Sequence, residues 1–398
     1  MTPLPTPAAS RLLRAPPFPG LANSMYMFSP PPEVDAPTGD TRTALFRSVS
    51  NARVGGSYWS EPIAPLAIDM AIRPRSASEA AELRARFGAE KTICIGHPHA
   101  SPLRTAALDY GADIDPWAVL SQTGKLVAHG DDEWVALATI AGIHVQVLSP
   151  GRYGEPGDDG ETLEYRAAMA LAEPMRDPFS DGWLEPAKAI ELLADWRRVI
   201  DANRGTAGQT IVAACGISWW KREEIRRFLW VPGEPLKIAR TSAGALAVAE
   251  ARGGALAVWP SRISKSLLAN AEKRGVPIVR VEDGFVRSVG LGSNLVPPSS
   301  VIVDRRGIHF DPGHPSDLET ILQNEEFSHD LIERARLLRK TIVDTGISKY
   351  ARAAKRMAAQ VIGTREGRIV LVPGQVEDDM SVLAGGGGLT SNLELLRR

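Results

Sequence analysis

The chain has 398 residues, 44% of them hydrophobic and 23% charged, which fits a globular protein of two to three domains. Its formal net charge of −1 provides no general attraction to nucleic acid or to an anionic membrane, which argues against nucleic-acid binding. Cys94 and Cys215 lie in apolar runs and read as buried free thiols of a reducing compartment. No stretch approaches the about 20 apolar residues of a membrane span, and the N-terminus lacks an apolar signal core, so a cytoplasmic location is expected.

Residues 1–58 carry Pro3, Pro5, Pro7, Pro16, Pro17, Pro19 and Pro30–Pro32. Each proline lacks a backbone donor and obstructs helix and central strand, so a mostly disordered leader is expected there. Over 59–204, short apolar runs at 92–96, 125–128 and 144–148 alternate with helical patterns near 77–87, 131–141 and 185–202. That alternation predicts a parallel α/β layer. The last helix stops at Gly205 after an arginine-rich final stretch, which places a domain boundary nearby. Over 205–398 the alternation repeats, with strands expected at 211–215, 236–239, 255–259, 277–281, 301–303 and 368–372. Asp304–Gly307 reads as a tight hairpin turn, and 316–360 as a run of helices with Lys349 and Tyr350 in a connection. The fold class is therefore α/β, built from two Rossmann-like layers.

Two acidic loops stand out. Residues 277–281 would deliver Glu282 and Asp283 to the carboxyl edge of a sheet, where open α/β folds place ligands, and Gly284, Gly290 and Gly292 follow. The run 368–372 would deliver Gln375, Glu377, Asp378 and Asp379 in the same way, ahead of Gly385–Gly388 and a helix start at Thr390-Ser391-Asn392. If both strands share one sheet, the two loops face one cleft. A buried carboxylate at a strand end can act as general base; alternatively Asp283 caps the following turn and Glu282 pairs with Arg287. Arg287 has the planar fork that suits a carboxylate or phosphate, or else it forms a local salt bridge. Gly386, Gly387 and Asn392 could expose backbone N–H groups as an anion cradle, or serve as a flexible connection. His309 and His314 have no third partner at metal-site spacing, and no metal or cofactor is expected. Trp219-Trp220 before KREEIRR could stack a sugar, although most of the nine tryptophans are placed to fill core.

The segments VEDGFVRSVGLGSNLVPP, VIVD, RRGIHFDP, HPSDLE, ISKY and PGQVEDDMS, in that order from residue 281 onward, resemble the bacterial capsule polysaccharide synthesis and export family. Its characterised members are Kdo (3-deoxy-manno-octulosonic acid) transferases. The resemblance runs from about Gly216 to the C-terminus. It implies a glycosyltransferase-B-like pair of layers and transfer of Kdo from CMP-Kdo to a lipid-linked acceptor with retained stereochemistry. Asp379, the acid before Met380 and Ser381, would be the carboxylate nucleophile, with Glu282 and Asp283 catalytic in undivided roles. Arg287, Gln375, Asp378, Ser381, Gly386, Gly387 and Asn392 would bind substrate. The implied partners are the sugar nucleotide, the glycolipid acceptor and a capsule assembly complex at the inner membrane, to which the protein would be peripheral. The family's second nucleotide-binding layer is not found after residue 398; residues 92–150, with His97-Pro98-His99, resemble a worn version of it. A truncated transferase and a non-catalytic polysaccharide-binding or assembly protein are thus both open.

Overall fold

The computed structural model describes residues 11–21, 34–96, 109–180, 182–288, 294–327, 329–349, 368 and 370–398. The chain divides into two compact units, Met1–Ala202 and Asn203–Arg398.

In the first unit, β1 (Met70–Ile72), β2 (Thr92–Ile95), β3 (Asp109–Tyr110), β4 (Lys125–Ala128) and β5 (His144–Val147) form one sheet in the order β3-β2-β1-β4-β5. Every pairing in it is parallel. Around the sheet run α1 (Gly39–Ala52), α2 (Ala77–Phe87), α3 (Pro116–Leu120), α4 (Glu133–Ile140), α5 (Gly160–Ala172) and α6 (Pro186–Arg204). A two-stranded antiparallel pair, β6 (Met175–Arg176) and β7 (Trp183–Leu184), precedes α6. β2 is buried along its whole length, because a central parallel strand is covered on both faces and so reads as a continuous apolar run. Ser76, Asp132 and Asp159 start α2, α4 and α5 by accepting backbone N–H groups of the first turn.

The leader expected over 1–58 needs correction. Leu12 and Leu13 are 0% and 1% exposed, and Val49, Val54 and Tyr58 join the same core as β4 and α4. Leu12 accepts an N–H from Gly56 at 2.8 Å, and Arg14 grips Glu133 with two hydrogen bonds of 2.6 and 2.9 Å. Proline density forbids regular structure around Pro16–Pro19 but leaves an extended chain free to pack its leucines.

In the second unit, β8 (Ile211–Cys215), β9 (Lys237–Ile238), β10 (Ala255–Val258), β11 (Ile278–Asp283) and β12 (Val301–Asp304) make a sheet in the order β12-β11-β10-β8-β9. The first four are parallel, and β12 runs antiparallel to β11 with Arg280 opposite Asp304 and Asp283 opposite Val301. α7 (Arg222–Phe228), α8 (Ser242–Ala251) and α9 (Lys265–Lys273) cover it. Leu256 and Val258 pack on one face with Leu246 and Leu267, while Ala255 and Ala257 pack on the other with Ile225 and Leu229. α10 (Asp317–Asn324), α11 (His329–Thr345), α12 (Met380–Gly385) and α13 (Asn392–Arg397) follow. The strand order reverses between β8 and β10, and that is the crevice in which open α/β sheets bind ligands.

Two expected elements are absent among the described residues. The described residues of 368–372 pair with no strand, and Val370 and Leu371 are 72% and 87% exposed. Antiparallel β12 occupies the edge beside β11 that a further parallel strand would need. The turn at Asp304–Gly307 exists, its Asp304 carboxylate accepting from Arg306 and Gly307 at 2.9 and 2.8 Å. No returning strand follows among the described residues; Gly307 instead lies against Pro315, where an added Cβ would meet the carbonyl at 2.6 Å.

Candidate active site

The carboxyl ends of β8, β10 and β11 bring together residues from three separate stretches of sequence. After β8, Gly216 turns the chain at φ +76; a Cβ there would lie 3.1 Å from Arg262 and 3.4 Å from Trp259, so both backbone sign and space call for glycine. A single 3-10 turn, Trp219–Lys221, then presents Lys221. Its Nζ donates to both oxygens of Asp283, at 3.1 and 3.2 Å, and sits 3.7 Å from the centre of the Trp259 ring. Burial lowers the Lys221 pKa and Asp283 opposes that shift. Trp220 flanks the same ammonium, whereas Trp219 is 72% exposed.

Arg287 closes on Asp283 from the other side, its Nε 2.8 Å from Oδ2. The guanidinium is 0% exposed, and its remaining nitrogens donate to Ser288 Oγ at 2.6 Å and to the Val296 carbonyl at 2.9 Å. Arg287 is thus a buried partner of Asp283, the local salt bridge its position allowed. Asp283 is paired with two cations, Lys221 and Arg287.

Glu282 differs. Successive residues of a strand point to opposite faces, so it is turned away from Asp283. Burial raises its pKa above the usual carboxylate range and the Asp283 charge adds to the rise; its own bond from the Asp283 N–H, at 3.0 Å, and the ammonium groups of Lys221 and Lys349 pull it back. A carboxyl shifted in this direction is more readily protonated than an ordinary glutamate, the property a general base needs in order to take a proton.

Asp379 stands at the start of α12. Its Oδ1 accepts from the Ser381 hydroxyl at 2.7 Å and the Ser381 N–H at 2.8 Å, and these bonds, with help from Lys349, hold its pKa below the usual value. It is an ionised helix cap. Asp378 is exposed beside it. Gln375 and Asn392 exchange hydrogen bonds of 2.8 and 2.9 Å, and the Asn392 N–H goes to Glu377 at 2.8 Å. Gly386 donates its N–H to Val382 at 3.0 Å, and Gly387 turns at φ +59. The expected anion cradle is therefore partly occupied by the chain's own Glu377.

Lys349 relates the two acidic loops: its charge acts on Glu282, on Asp379 and on His309, whose pKa is lowered first by burial and then by this lysine. A pocket of about 710 Å³ opens alongside, lined by His309, Phe310, His314, Glu319, Ser381 and Gly385 among others. The common strand edge expected for the two loops is replaced by this arrangement around a lysine. Sequence reading missed Lys221, which lay within the WWKREE stretch, and placed Lys349 only in a connection. Gly290, Gly292 and His97-Pro98-His99 lie outside the described residues. Among the described residues no cluster has metal-ligand chemistry, and no helix is long and apolar enough to cross a membrane.

Residues 254–398 match the family described as capsule polysaccharide biosynthesis protein. That match lies within the second unit. Over 208 residues, 52% of its length, the chain is 36% identical to the capsule polysaccharide modification protein LipA of Neisseria meningitidis. Over 195 residues, 47% of the chain, it is 34% identical to the lipopolysaccharide-processing protein LpsZ of Rhizobium meliloti. The matched segments span 28% of LipA and 43% of LpsZ. Among solved structures, KpsC of Thermosulfurimonas dismutans, a beta Kdo 2,7 transferase, is 30% identical and covers 46% of this chain and 55% of its own, with a TM-score of 0.34.

Proposed function

We propose that the chain serves capsular polysaccharide biosynthesis by transferring Kdo from CMP-Kdo to a lipid-linked acceptor at the cytoplasmic side of the inner membrane. The observation that carries this reading is the pairing, within a unit related to capsule biosynthesis proteins, of a carboxylate held ionised with one held protonatable, both under the field of Lys349. Asp379 attacks the anomeric carbon of Kdo; the bond to the CMP phosphate oxygen breaks, and CMP departs with the electron pair. The acceptor hydroxyl then attacks the same carbon, its proton passes to Glu282, and the bond to Asp379 breaks. Two inversions give net retention.

One observation favours a second reading: the Asp379 carboxylate is already engaged as a helix cap, as it would be in a non-catalytic polysaccharide-binding protein. Incubation with CMP-Kdo and a lipid-linked Kdo acceptor tests both. Transfer is expected from the natural sequence and a loss of about 1,000-fold or more from Asp379→Asn, which keeps the cap geometry but removes the nucleophile. Undiminished transfer by Asp379→Asn would overturn the nucleophile assignment, and acceptor binding without any transfer would select the second reading.

A further inference from the structure

The cavity of about 710 Å³ beside α12 lies within the range of pockets that hold small ligands, about 300–1,000 Å³. Part of its lining comes from α10. Leu318 and Leu322 are four residues apart, as are Glu319 and Gln323, so an apolar row and a polar row run side by side along one face of the helix. That face is not packed away: Leu322 is 65% exposed, and Glu319 and Gln323 are exposed with it. The helix is started by buried Ser316, which accepts the Glu319 N–H at 3.0 Å. Gly385 holds α12 against the adjoining segment, since a Cβ there would stand 2.6 Å from the Phe310 carbonyl.

The polar side chains of this lining are largely uncommitted. Those of His314, Glu319 and Gln323 make no hydrogen bond or ion pair with any described residue, and Nδ1 of His309 is buried without a hydrogen-bond partner. Edge-on contacts with Phe285, at 5.1 Å between centres, and Phe310, at 5.3 Å, fix the His309 ring. Burial first and Lys349 second lower its pKa, so the neutral ring has one nitrogen to donate and one to accept. A buried ring nitrogen left unpaired is a cost that a bound hydroxyl removes.

The charge of the lining narrows the ligand. Asp311 and Glu319 contribute carboxylates, no lysine or arginine of the described residues lines the cavity, and Lys349 acts on His309 from outside it. Such a lining repels sugar acids and phosphates. It suits hydroxyl groups, which donate to carboxylates and accept from amide or imidazole N–H, while the carbon face of a sugar ring can lie on Phe310 or Leu322. Ser381 belongs to the lining and also donates both hydrogen bonds that Asp379 accepts, so the cavity adjoins Asp379.

We propose that this cavity is the subsite for an uncharged, hydroxyl-bearing unit of the acceptor, held by Glu319, Gln323 and His309. The donor, an acid joined to a phosphate, is turned away by the same carboxylates. Assignment to the acceptor rests on the reading of Asp379 as the nucleophile of Kdo transfer; the preference for an uncharged sugar rests on the lining alone.

Ligand-observed NMR titration of the full chain at low salt, with methyl glucoside and methyl glucuronide, tests the preference. The two differ only in whether C6 bears a hydroxyl or is a carboxylate. The natural sequence is expected to bind the glucoside about tenfold more tightly, and Glu319→Gln, at an exposed helix position, to narrow that gap. Gln323→Ala and His309→Phe should each weaken glucoside binding about fivefold, the worth of one hydrogen bond, with unchanged melting showing that they are folded. Binding of neither glycoside, equal binding of both, or glucoside binding indifferent to these substitutions overturns the inference. In the transfer assay the glucoside should raise KM for the lipid-linked acceptor and leave kcat unchanged; no inhibition, or competition with CMP-Kdo, overturns the acceptor assignment. The glucoside preference in a chain that transfers nothing would remove the transfer reading and leave the sugar site standing. Transfer by a chain that binds neither glycoside would do the reverse.

Discussion

The segment before Pro16 offers the sharpest quantitative test of the fold. Leu12 and Leu13 are almost fully buried, and a leucine-to-alanine change at such a site costs about 3–5 kcal/mol through lost transfer energy and residual cavity. Deleting residues 1–21 removes both side chains, worth about 3–6 kcal/mol of burial together. It also strips Glu133 of its two bonds from Arg14 and Gly56 of its acceptor on Leu12. A domain is stable by only about 5–15 kcal/mol, so the loss is a large share of the total. For a unit of this size, at about 2–4 °C per kcal/mol, Leu12→Ala should lower one melting transition by roughly 10 °C. Differential scanning calorimetry of the full chain reads this directly. Leu246→Ala, in the separate core of the second unit, should move the other transition and so assign each one. A deletion of residues 1–21 that leaves both transitions within about 1 °C of the natural sequence would refute the packing argument.

Lys221→Met should destabilise the second unit by about 3 kcal/mol, the low end for breaking a buried ion pair, because Arg287 still neutralises Asp283; urea unfolding measures it, and an unchanged midpoint would show that Asp283 does not need the lysine. Glu282→Gln should behave oppositely. A carboxyl whose pKa is raised on folding binds more protons folded than unfolded, so the natural chain loses stability as pH rises through the ordinary carboxylate value toward the raised one. The glutamine variant should therefore be the more stable at pH 7, with its advantage vanishing in acid, and transfer should lose its acidic limb. Equal stability of the two proteins at pH 7 would argue that Glu282 is solvated.

Most of the layer architecture was legible because buried parallel strands write themselves as short continuous apolar runs: Lys125–Ala128, Ile211–Cys215 and Ala255–Val258 are found where the pattern puts them. The run at 368–372 has the same composition and is exposed, since composition records an affinity for a sheet but not whether an edge is vacant. At the site, Glu282 and Asp283 do end a strand, yet their unlike environments come from Lys221 and Arg287, one of them 62 residues away in sequence. Local spacing offered Arg287 as the partner of Glu282, but the arginine pairs with Asp283 instead; that choice, like the field of Lys349 over both loops, depends on folding. Leu12 and Leu13 were masked by the prolines around them, which report on backbone regularity and not on side-chain burial.

The mutual bonds between Gln375 and Asn392, reinforced by Glu377, close the stretch that carries Asp379 at its base like a buckle. Everything from the acidic turn through α12 to the first residue of α13 is held within a ring fastened by one asparagine, and the preceding residues 370–374 are exposed and unpaired with any strand. Asp379 thus belongs to a cassette whose two ends are fastened to each other by its own residues. Because residues 370–374 pair with no strand, changes within this cassette leave the strand pairing of the sheet untouched.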